Sequence, residues 1–520
     1  MVFRSPFPDV ELPDVTLHEL LFADLGERAD RVALVDGSTG ASLTYRRLAE
    51  AVDRLAAALA ERGIGKGDVV GILCPNTPHY AVVFHGILRA GAIATTVNAL
   101  YTADEVARQL VDAGAKMLFT VSALLPHAAP GAAGAGVTDV VVLDGAEGYP
   151  DLAGLLAGTG PVPRVAVDPA EDVAVLPYSS GTTGRAKGVL LTHRNLVANI
   201  VQCGPLLNVG AGSRILAVLP FFHIYGMQVL MNNGLHVGAT VVTMARFDLA
   251  EFLRVIQDHR TDRVYIAPPL AVALAKHPLV DQYDLSAVDT VFSGAAPLDV
   301  DLAAAVATRL GCRVSQGYGM TEMSPVSHAI PDGRDDISVG TVGVIAPNME
   351  CRVTDPATGE DVGVGERGEL WCRGPNVMKG YLNDPDATAA TLDEDGWLHT
   401  GDVAVIDGRG LVSIVDRVKE LIKYKGYQVP PAELEALLLT HRDIADAAVV
   451  GVRDDEGEEV PKAFVVVQPG ASLDAAGVMA FVADHVAPHK KVRVVEFIDA
   501  IPKSASGKIL RKDLRARESV

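Results

Sequence analysis

SSGTTGRAKGV, residues 179–189, concentrates two Ser, two Thr, three Gly and a Lys into eleven positions. That composition suits a loop in which backbone N–H groups, hydroxyls and one cation converge on phosphate oxygens. Glycine lets such a loop close around an anion without a Cβ in the way. The apolar run 173–176 ahead of it reads as a buried strand and 189–191 behind it as a second, short one, so the stretch is a loop between two strands. A Gly/Ser/Thr cluster alone more often marks a solvated turn. Lys187, which closes the run, and further nucleotide-type features downstream weigh against that. The Walker pattern G-x-x-x-x-G-K-[ST] is not met, since Lys187 follows Arg185-Ala186 and precedes Gly188, which disfavours a P-loop NTPase.

Outward from this loop, strand and helix signals alternate. Residues 43–62 carry apolar positions at helical spacing, with Thr44 as N-cap and Gly63 as stop. Residues 68–73 read as a strand, 81–90 as a helix and 92–97 as a strand, and the alternation continues at 116–121 and 137–143. Repeated βα units predict parallel sheets covered by helices. The Ala/Gly-rich 131–136 reads as a surface loop. Beyond the phosphate-type loop come a helix over 195–202, strands at 215–219, 237–244 and 264–267, and an amphipathic helix over 249–259. From Gly340, short β-like runs at 351–353, 369–372 and 411–415, separated by Gly, Asp and Pro, predict a distorted antiparallel barrel or sheet. A boundary falls at Asp416-Arg417 and leaves about a hundred residues, enough for a small domain. That part reads as helices at 431–439 and 478–486 and strands at 447–452 and 463–467. The expected fold class is α/β: residues 1–415 as a large N-terminal domain of parallel βα-type sheets plus a small β-barrel, and residues 416–520 as a small α+β C-terminal domain.

A formal charge of −20, from 65 Asp+Glu against 45 Lys+Arg, lacks the basic footprint that nonspecific nucleic-acid binding needs. The acidic excess serves solubility. The five cysteines, Cys74, Cys203, Cys312, Cys351 and Cys372, are odd in number and far apart, so neither a disulfide framework nor a zinc site is indicated. Such usage fits a reducing cytosol. Prolines and acids break the opening MVFRSPFPDVELPD before any apolar run develops, so no secretory signal is read there. No apolar stretch approaches roughly 20 residues, so no membrane span is expected. The tail ESV is not a simple peroxisomal or retention address, and the expected location is the cytoplasm.

Six stretches follow one another in order: SSGTTGRAKGV, SGAAPL (293–298), QGYGMTE (316–322), WLHTGD (397–402), DRVKELIKYKGYQV (416–429) and PKSASGK (502–508). Through them the chain resembles, over nearly its whole length, the adenylate-forming superfamily of acyl-CoA synthetases, luciferases and peptide-synthetase adenylation domains. The likeness runs closest to the 4-coumarate:CoA ligase group, through PFFHIYGM (220–227), APPLAVALAKHP (267–278), SGAAPL, QGYGMTE and KELIKYKGYQVPPAELE (419–435).

The resemblance implies a two-step ligation, in which a carboxylic acid and ATP give acyl-AMP and pyrophosphate and coenzyme A then displaces AMP. It implies that Ser179, Ser180, Gly181, Thr182, Thr183, Gly184 and Lys187 wrap the β- and γ-phosphates. Gly294, Ala295 and Ala296 would offer adenine a face free of bulky side chains, and Gln316, Gly317, Tyr318 and Gly319 would complete the slot. Thr321 would touch the α-phosphate, Asp402 and Arg417 the ribose, and Lys419 would join the nucleotide site. Glu322 would help hold Mg²⁺; an acid beside an anion site is repulsive unless a cation lies between them. Lys508 is the foremost catalytic candidate. When a carboxylate attacks the α-phosphorus, two anions meet, and a cation held between them stabilises the charge that gathers there. A lysine in a polar C-terminal loop is usually just solvated, but the flanking Pro502, Ser504, Ser506 and Gly507 match the family's catalytic loop.

For the second step the resemblance implies that a mobile C-terminal domain turns about Asp416, withdrawing Lys508 and bringing the KYKG face inward. Lys423 and Gln428 would then serve thioester formation, Lys425 and Gly426 would touch coenzyme A, and Arg246 would lie near its phosphates. His223 would stand where acyl carboxylate and coenzyme A channel meet. It would share the acyl pocket with Tyr225, Val229, Lys276, Gly319, Pro325, Val326 and Ala329, whose small members leave a flat slot for an aromatic ring.

Ala186 stands where the family's loop usually has Pro, which costs loop rigidity at most. GELWCRG (368–374) carries Trp371 and Cys372 where the ligase group has GEICIRG, a packing difference. The G-x-G-x-x-G at 363–368 precedes a strand and so lacks the strand-to-helix context of a dinucleotide site. The expected acid is a hydroxycinnamate such as 4-coumarate. A medium- or long-chain fatty acid, another aryl acid, or luciferase-like oxygenation of the same adenylate are the alternatives. A nucleotide-binding regulator without turnover would be expected to lack Lys508 or Glu322, and both are present. Monomer and homodimer both remain open.

Overall fold

The computed structural model describes residues 1–179, 186–424, 427–454, 458–505 and 507–517. Two large sheets build the N-terminal part. In the seven-stranded sheet the order is Gly380–Tyr381, Lys187–Thr192, Val173–Ser179, Ile93–Thr96, Val69–Leu73, Ala115–Thr120, Asp139–Val142. The last five run parallel, and the first two are antiparallel additions at one edge. The nine-stranded sheet has a parallel centre, from Arg313–Gly319 through Thr290–Ser293, Arg263–Ile266, Arg214–Ala217 and Thr240–Thr243 to Val32–Asp36. Its margins are antiparallel.

Strands such as Val69–Leu73 and Thr290–Ser293 are buried at every position, the pattern of a parallel strand covered on both faces. The helix Tyr45–Glu61 begins at Thr44, whose hydroxyl accepts from Arg47 N, and buries Leu48, Val52, Leu55 and Leu59 along one stripe. These residues join Val70, Phe84, Leu196, Ile215 and Val241 in one core shared by both sheets.

One expected loop is a helix. Residues 131–136 fall largely in Leu125–Gly134, with Ala128, Gly131 and Ala132 buried. A Cβ on Gly131 would lie 2.7 Å from Val106 Cγ1 and 3.0 Å from Ala103 O, so the small residues exist to let this helix press against Ala103–Ala113. Lacking large apolar side chains, it shows no hydrophobic period.

The turn-punctuated region after 340 forms, with the chain's start, a five-stranded antiparallel sheet in the order Phe3–Arg4, Glu350–Thr354, Arg367–Arg373, Leu398–Ile406, Val412–Arg417. The G-x-G-x-x-G leads into its strand Arg367–Arg373. The C-terminal part holds the hairpin Ile422–Tyr424/Tyr427–Val429, a three-stranded sheet of Ile444–Arg453, Glu459–Val467 and Val494–Phe497, and the helices Pro431–Thr440, Ala475–His485 and Arg511–Ala516. It has its own core, with Ile422, Leu434, Val449 and Val478 among its members. Buried Glu435 there accepts from Arg511 Nη2 at 2.8 and 2.7 Å and from Val449 N at 2.8 Å. Among the described residues no helix is long and apolar enough to cross a membrane.

Candidate active site

A cavity of about 950 Å³ opens at the carboxyl ends of the parallel strands of both sheets, where open α/β sheets hold ligands. Thr96 and Ser179 end two strands of one sheet, Gly294 follows Thr290–Ser293 of the other, and Gly317 to Gly319 close Arg313–Gly319. Thr400, Gly401 and Arg417 of the antiparallel sheet form a further wall. Lys419, Ser504, Ala505 and Lys508 close it from the C-terminal side.

The flat face expected to take the nucleotide is made by backbone pressed close to other groups. A Cβ on Gly319 would lie 2.1 Å from Pro325 O, one on Gly317 2.8 Å from Phe292 Cζ, and one on Gly294 2.7 Å from Tyr225 Cε1. Ala295 holds a left-handed φ of 70°, a strained backbone state of the kind found at binding sites. Tyr318 donates from its hydroxyl to Asp402 Oδ2 at 2.6 Å. Burial first, and Asp402 next, push that phenol's pKa far up, so it stays a donor. Asp402 stands opposite Arg417 in the ladder, with Arg417 Nε 3.4 Å from Oδ1. Asp402 itself lies just behind the wall, 7% exposed.

Glu322 Oε1 accepts from Ser179 Oγ at 3.0 Å and from the Tyr381 hydroxyl at 2.9 Å. Lys187 Nζ lies 4.8 Å from the centre of the Tyr381 ring. Thr321 lines the cavity beside them. Among the described residues no group of three or more His, Cys, Asp or Glu could hold a metal alone. A lone carboxylate beside a phosphate-type loop fits Mg²⁺, which takes one or two carboxylates plus substrate phosphates and keeps its waters.

Lys508 arrives on a tight turn. Ser504 N donates to Lys508 O at 2.8 Å and Lys508 N to Ser504 Oγ at 3.1 Å. Gly507 has φ +84°, and a Cβ there would meet Ala267 Cβ at 2.9 Å, so glycine lets the turn lie against the N-terminal part. Burial, and then Arg417, lower the Lys508 pKa to about 8, with Asp402 and Glu322 acting the other way. His223 is held neutral, its pKa near 4, by burial and by Lys508. Tyr225 opens a π-helical segment, Tyr225–Asn232, and with His223, Pro325 and Val326 faces the cavity.

Several expected residues stand elsewhere. Gln316 is a structural clamp: Oε1 accepts from Leu298 N at 3.1 Å, and Nε2 donates to Thr341 O at 3.1 Å and to Val339 O. Ala296 is not in the cavity wall, and Val229 and Ala329 are core residues behind it. Lys276 points away, donating to Leu439 O at 2.8 Å. Arg246, Lys423 and Gln428 are exposed and outside the cavity. Ser180, Gly181, Thr182, Thr183, Gly184, Lys425 and Gly426 lie outside the described residues, as does Ser506. Sequence reading missed Tyr381, Phe292 and His328 in the wall. Phe292 had a signal, as the residue two before Gly294 on a buried strand; Tyr381, in a turn-like GYLND, had none.

The model of the AMP-binding enzyme family matches residues 21–382, and that of the AMP-binding enzyme C-terminal domain residues 433–508. "4-coumarate--CoA ligase 3" of Oryza sativa subsp. japonica is 45% identical over 99% of this chain and 95% of its own. "4-coumarate--CoA ligase 5" of the same plant is 43% identical over 99% and 97%. Among solved structures, an anthranilate CoA ligase in complex with anthranoyl-AMP superposes with a TM-score of 0.90, covering 97% of this chain and 98% of its own at 26% identity.

Proposed function

The chain belongs to the AMP-binding enzyme family, and from that premise we propose that it joins 4-coumarate or a related hydroxycinnamate to coenzyme A in an ATP-dependent, two-step ligation. The observation that carries this reading is Lys508, enclosed in one cavity with Glu322, Arg417 and His223. At neutral pH a lysine of pKa about 8 is cationic. Its charge meets the acyl carboxylate and the α-phosphate together and offsets the negative charge that builds on phosphorus as the acyl oxygen attacks and pyrophosphate leaves. Ser179 and Lys187 hold the leaving phosphates, Thr321 the α-phosphate, and Asp402 with Arg417 the ribose hydroxyls. Mg²⁺ on Glu322 would neutralise phosphate charge. His223, uncharged, lines the acyl end with Tyr225.

The second step needs thiol attack on an activated anhydride, which calls for positioning more than for a strong base. We place the domain boundary at Asp416, with residues 1–415 as the ATP- and acyl-binding domain and 416–520 as a lid. Asp416 Oδ1 accepts from Arg417 N at 2.7 Å and Oδ2 from Ala432 N at 2.8 Å, so one carboxylate ties the end of the antiparallel sheet to the start of Pro431–Thr440. A change of backbone angles at this point turns the lid, as hinges at element ends do. It exchanges Lys508 for the now exposed Lys423 and Gln428, and brings coenzyme A toward Arg246. A cytoplasmic location is part of the same proposal, supported by the scattered free cysteines.

The test is purified protein with Mg-ATP and a panel of 4-coumarate, cinnamate, benzoate and octanoate. Pyrophosphate release with acid alone, then AMP release on adding coenzyme A, is expected to be fastest with the hydroxycinnamate. No pyrophosphate from any acid would sink the ligase reading, and a preference for octanoate would sink the aromatic one.

A further inference from the structure

We infer that Tyr381 is a positioning residue for adenylation, whose hydroxyl turns the Glu322 carboxylate toward the metal-bearing phosphates while its ring holds Lys187 beside them. The inference rests on the ATP-dependent reading above and extends it to a residue outside all six motifs.

Tyr381 is fixed by backbone. The strap 379–382 lies on the strand that leaves the phosphate loop: Lys379 N donates to Leu190 O at 2.9 Å and Leu382 N to Gly188 O at 2.8 Å, around the pairs Gly380↔Leu190 and Tyr381↔Val189. Just before the strap, Met378 N donates to Glu322 O at 2.9 Å. Tyr381 N donates to Thr388 Oγ1 at 2.9 Å. One short segment is therefore bonded to the backbone of Glu322 and to the strand that Lys187 begins.

Its side chain touches both functional groups. The hydroxyl donates to Glu322 Oε1 at 2.9 Å, the same oxygen that accepts from Ser179 at 3.0 Å. Two donors on one oxygen fix the rotation of the carboxylate, and among the described residues Oε2 takes no hydrogen bond. The Lys187 ammonium stands 4.8 Å from the ring centre, within cation–π reach, and 4.0 Å from Asp384 Oδ2, too far for a hydrogen bond. The ring and the Asp384 carboxylate therefore support the ammonium from two sides, neither through a hydrogen bond.

The test separates hydroxyl from ring and metal from nucleotide. Calorimetric titration of ATP, with excess Mg²⁺ and with EDTA, needs no turnover. Tyr381→Phe is expected to weaken Mg-ATP binding about tenfold, the scale of one lost hydrogen bond to a charged group, and to leave metal-free ATP unchanged. Tyr381→Leu is expected to weaken both. In the pyrophosphate assay the Phe variant is expected to need about tenfold more Mg²⁺ for half-maximal rate, with the acid KM unmoved. Unchanged Mg-ATP binding in the Phe variant overturns the inference, and so does an equal loss with and without metal. Should Tyr381→Leu not fold, the Phe variant alone decides. Wild-type protein that binds Mg-ATP but never releases pyrophosphate counts against the ligase reading, while the titrations still judge Tyr381.

Discussion

Lys423 and Gln428 stand directly opposite one another across an exposed hairpin, outside the cavity that Lys508 lines. If the lid alternates, the two lysines serve different half-reactions. Lys508→Ala is then expected to cut pyrophosphate release by about 100-fold or more, the scale of one lost charge-stabilising group. Thioester formation from synthetic acyl-AMP should stay within about threefold. Lys423→Ala should show the opposite bias. Equal losses in both assays for either variant would contradict alternation.

The enclosure of Lys508 also predicts a pH profile. Its pKa is lowered to about 8, so the ammonium is complete below that value and disappears as pH rises through it; a solvated lysine would stay charged to about 10.4. The kcat/KM for adenylation reports the free enzyme and should fall above pH 8. His223, with a pKa near 4, should add no inflection between pH 5 and 7. A profile flat to pH 10 would show that the lysine charge is not required, or that the turn is not docked in solution.

Tyr318 gives a prediction for the ribose side. Its 2.6 Å bond orients Asp402, and Tyr318→Phe removes that bond while keeping the ring. The ATP KM is expected to rise about three- to tenfold, the scale of one hydrogen bond to a charged group, with the acid KM unchanged. Gly319→Ala tests the packing behind the same slot: its Cβ would fall 2.1 Å from a backbone oxygen. A lowered Tm together with lost activity is expected, and normal ATP affinity in a stable protein would refute the tight-backbone account.

How far these features were legible depends on how local their causes are. The parallel strands read directly, because a strand covered on both faces is apolar throughout, as in Val69–Leu73. The helix Leu249–His259 was readable residue for residue from its apolar stripe; the structure adds the cap, Asp248, whose side chain accepts from Glu251 N. The helix Leu125–Gly134 was not, since its packing works through small residues that carry no hydrophobic period. Lys508 and Glu322, which line the cavity, were singled out through resemblance and motif order. Nothing in PKSASGK itself says that the lysine is enclosed. Gln316 was misread because an amide beside two glycines suits a base-binding slot equally well; only the distant carbonyls of Val339 and Thr341 reveal it as a clamp. Tyr381 sits in turn-like sequence, and its partners are 59 and about 190 positions away.

Lys276 shows the same limit most sharply and carries the last prediction. The APPLAVALAKHP segment suggested a pocket residue, yet its ammonium donates to Leu439 O at 2.8 Å and reaches His441 O at 3.4 Å and Ile444 O at 3.5 Å. It therefore caps the end of Pro431–Thr440, where free carbonyls and the helix dipole favour a cation, and ties the C-terminal part to the N-terminal part in the arrangement that encloses Lys508. Lys276→Met keeps the stem and removes the charge. The acid KM is expected to stay within about twofold, since no pocket wall is lost. Adenylation kcat should drop about three- to tenfold, as one charge-assisted bond no longer favours this arrangement. If the thioester step uses a second arrangement, as proposed, its rate from synthetic acyl-AMP should be unchanged or faster. A raised acid KM with normal kcat would return Lys276 to the pocket and remove it from the lid contact.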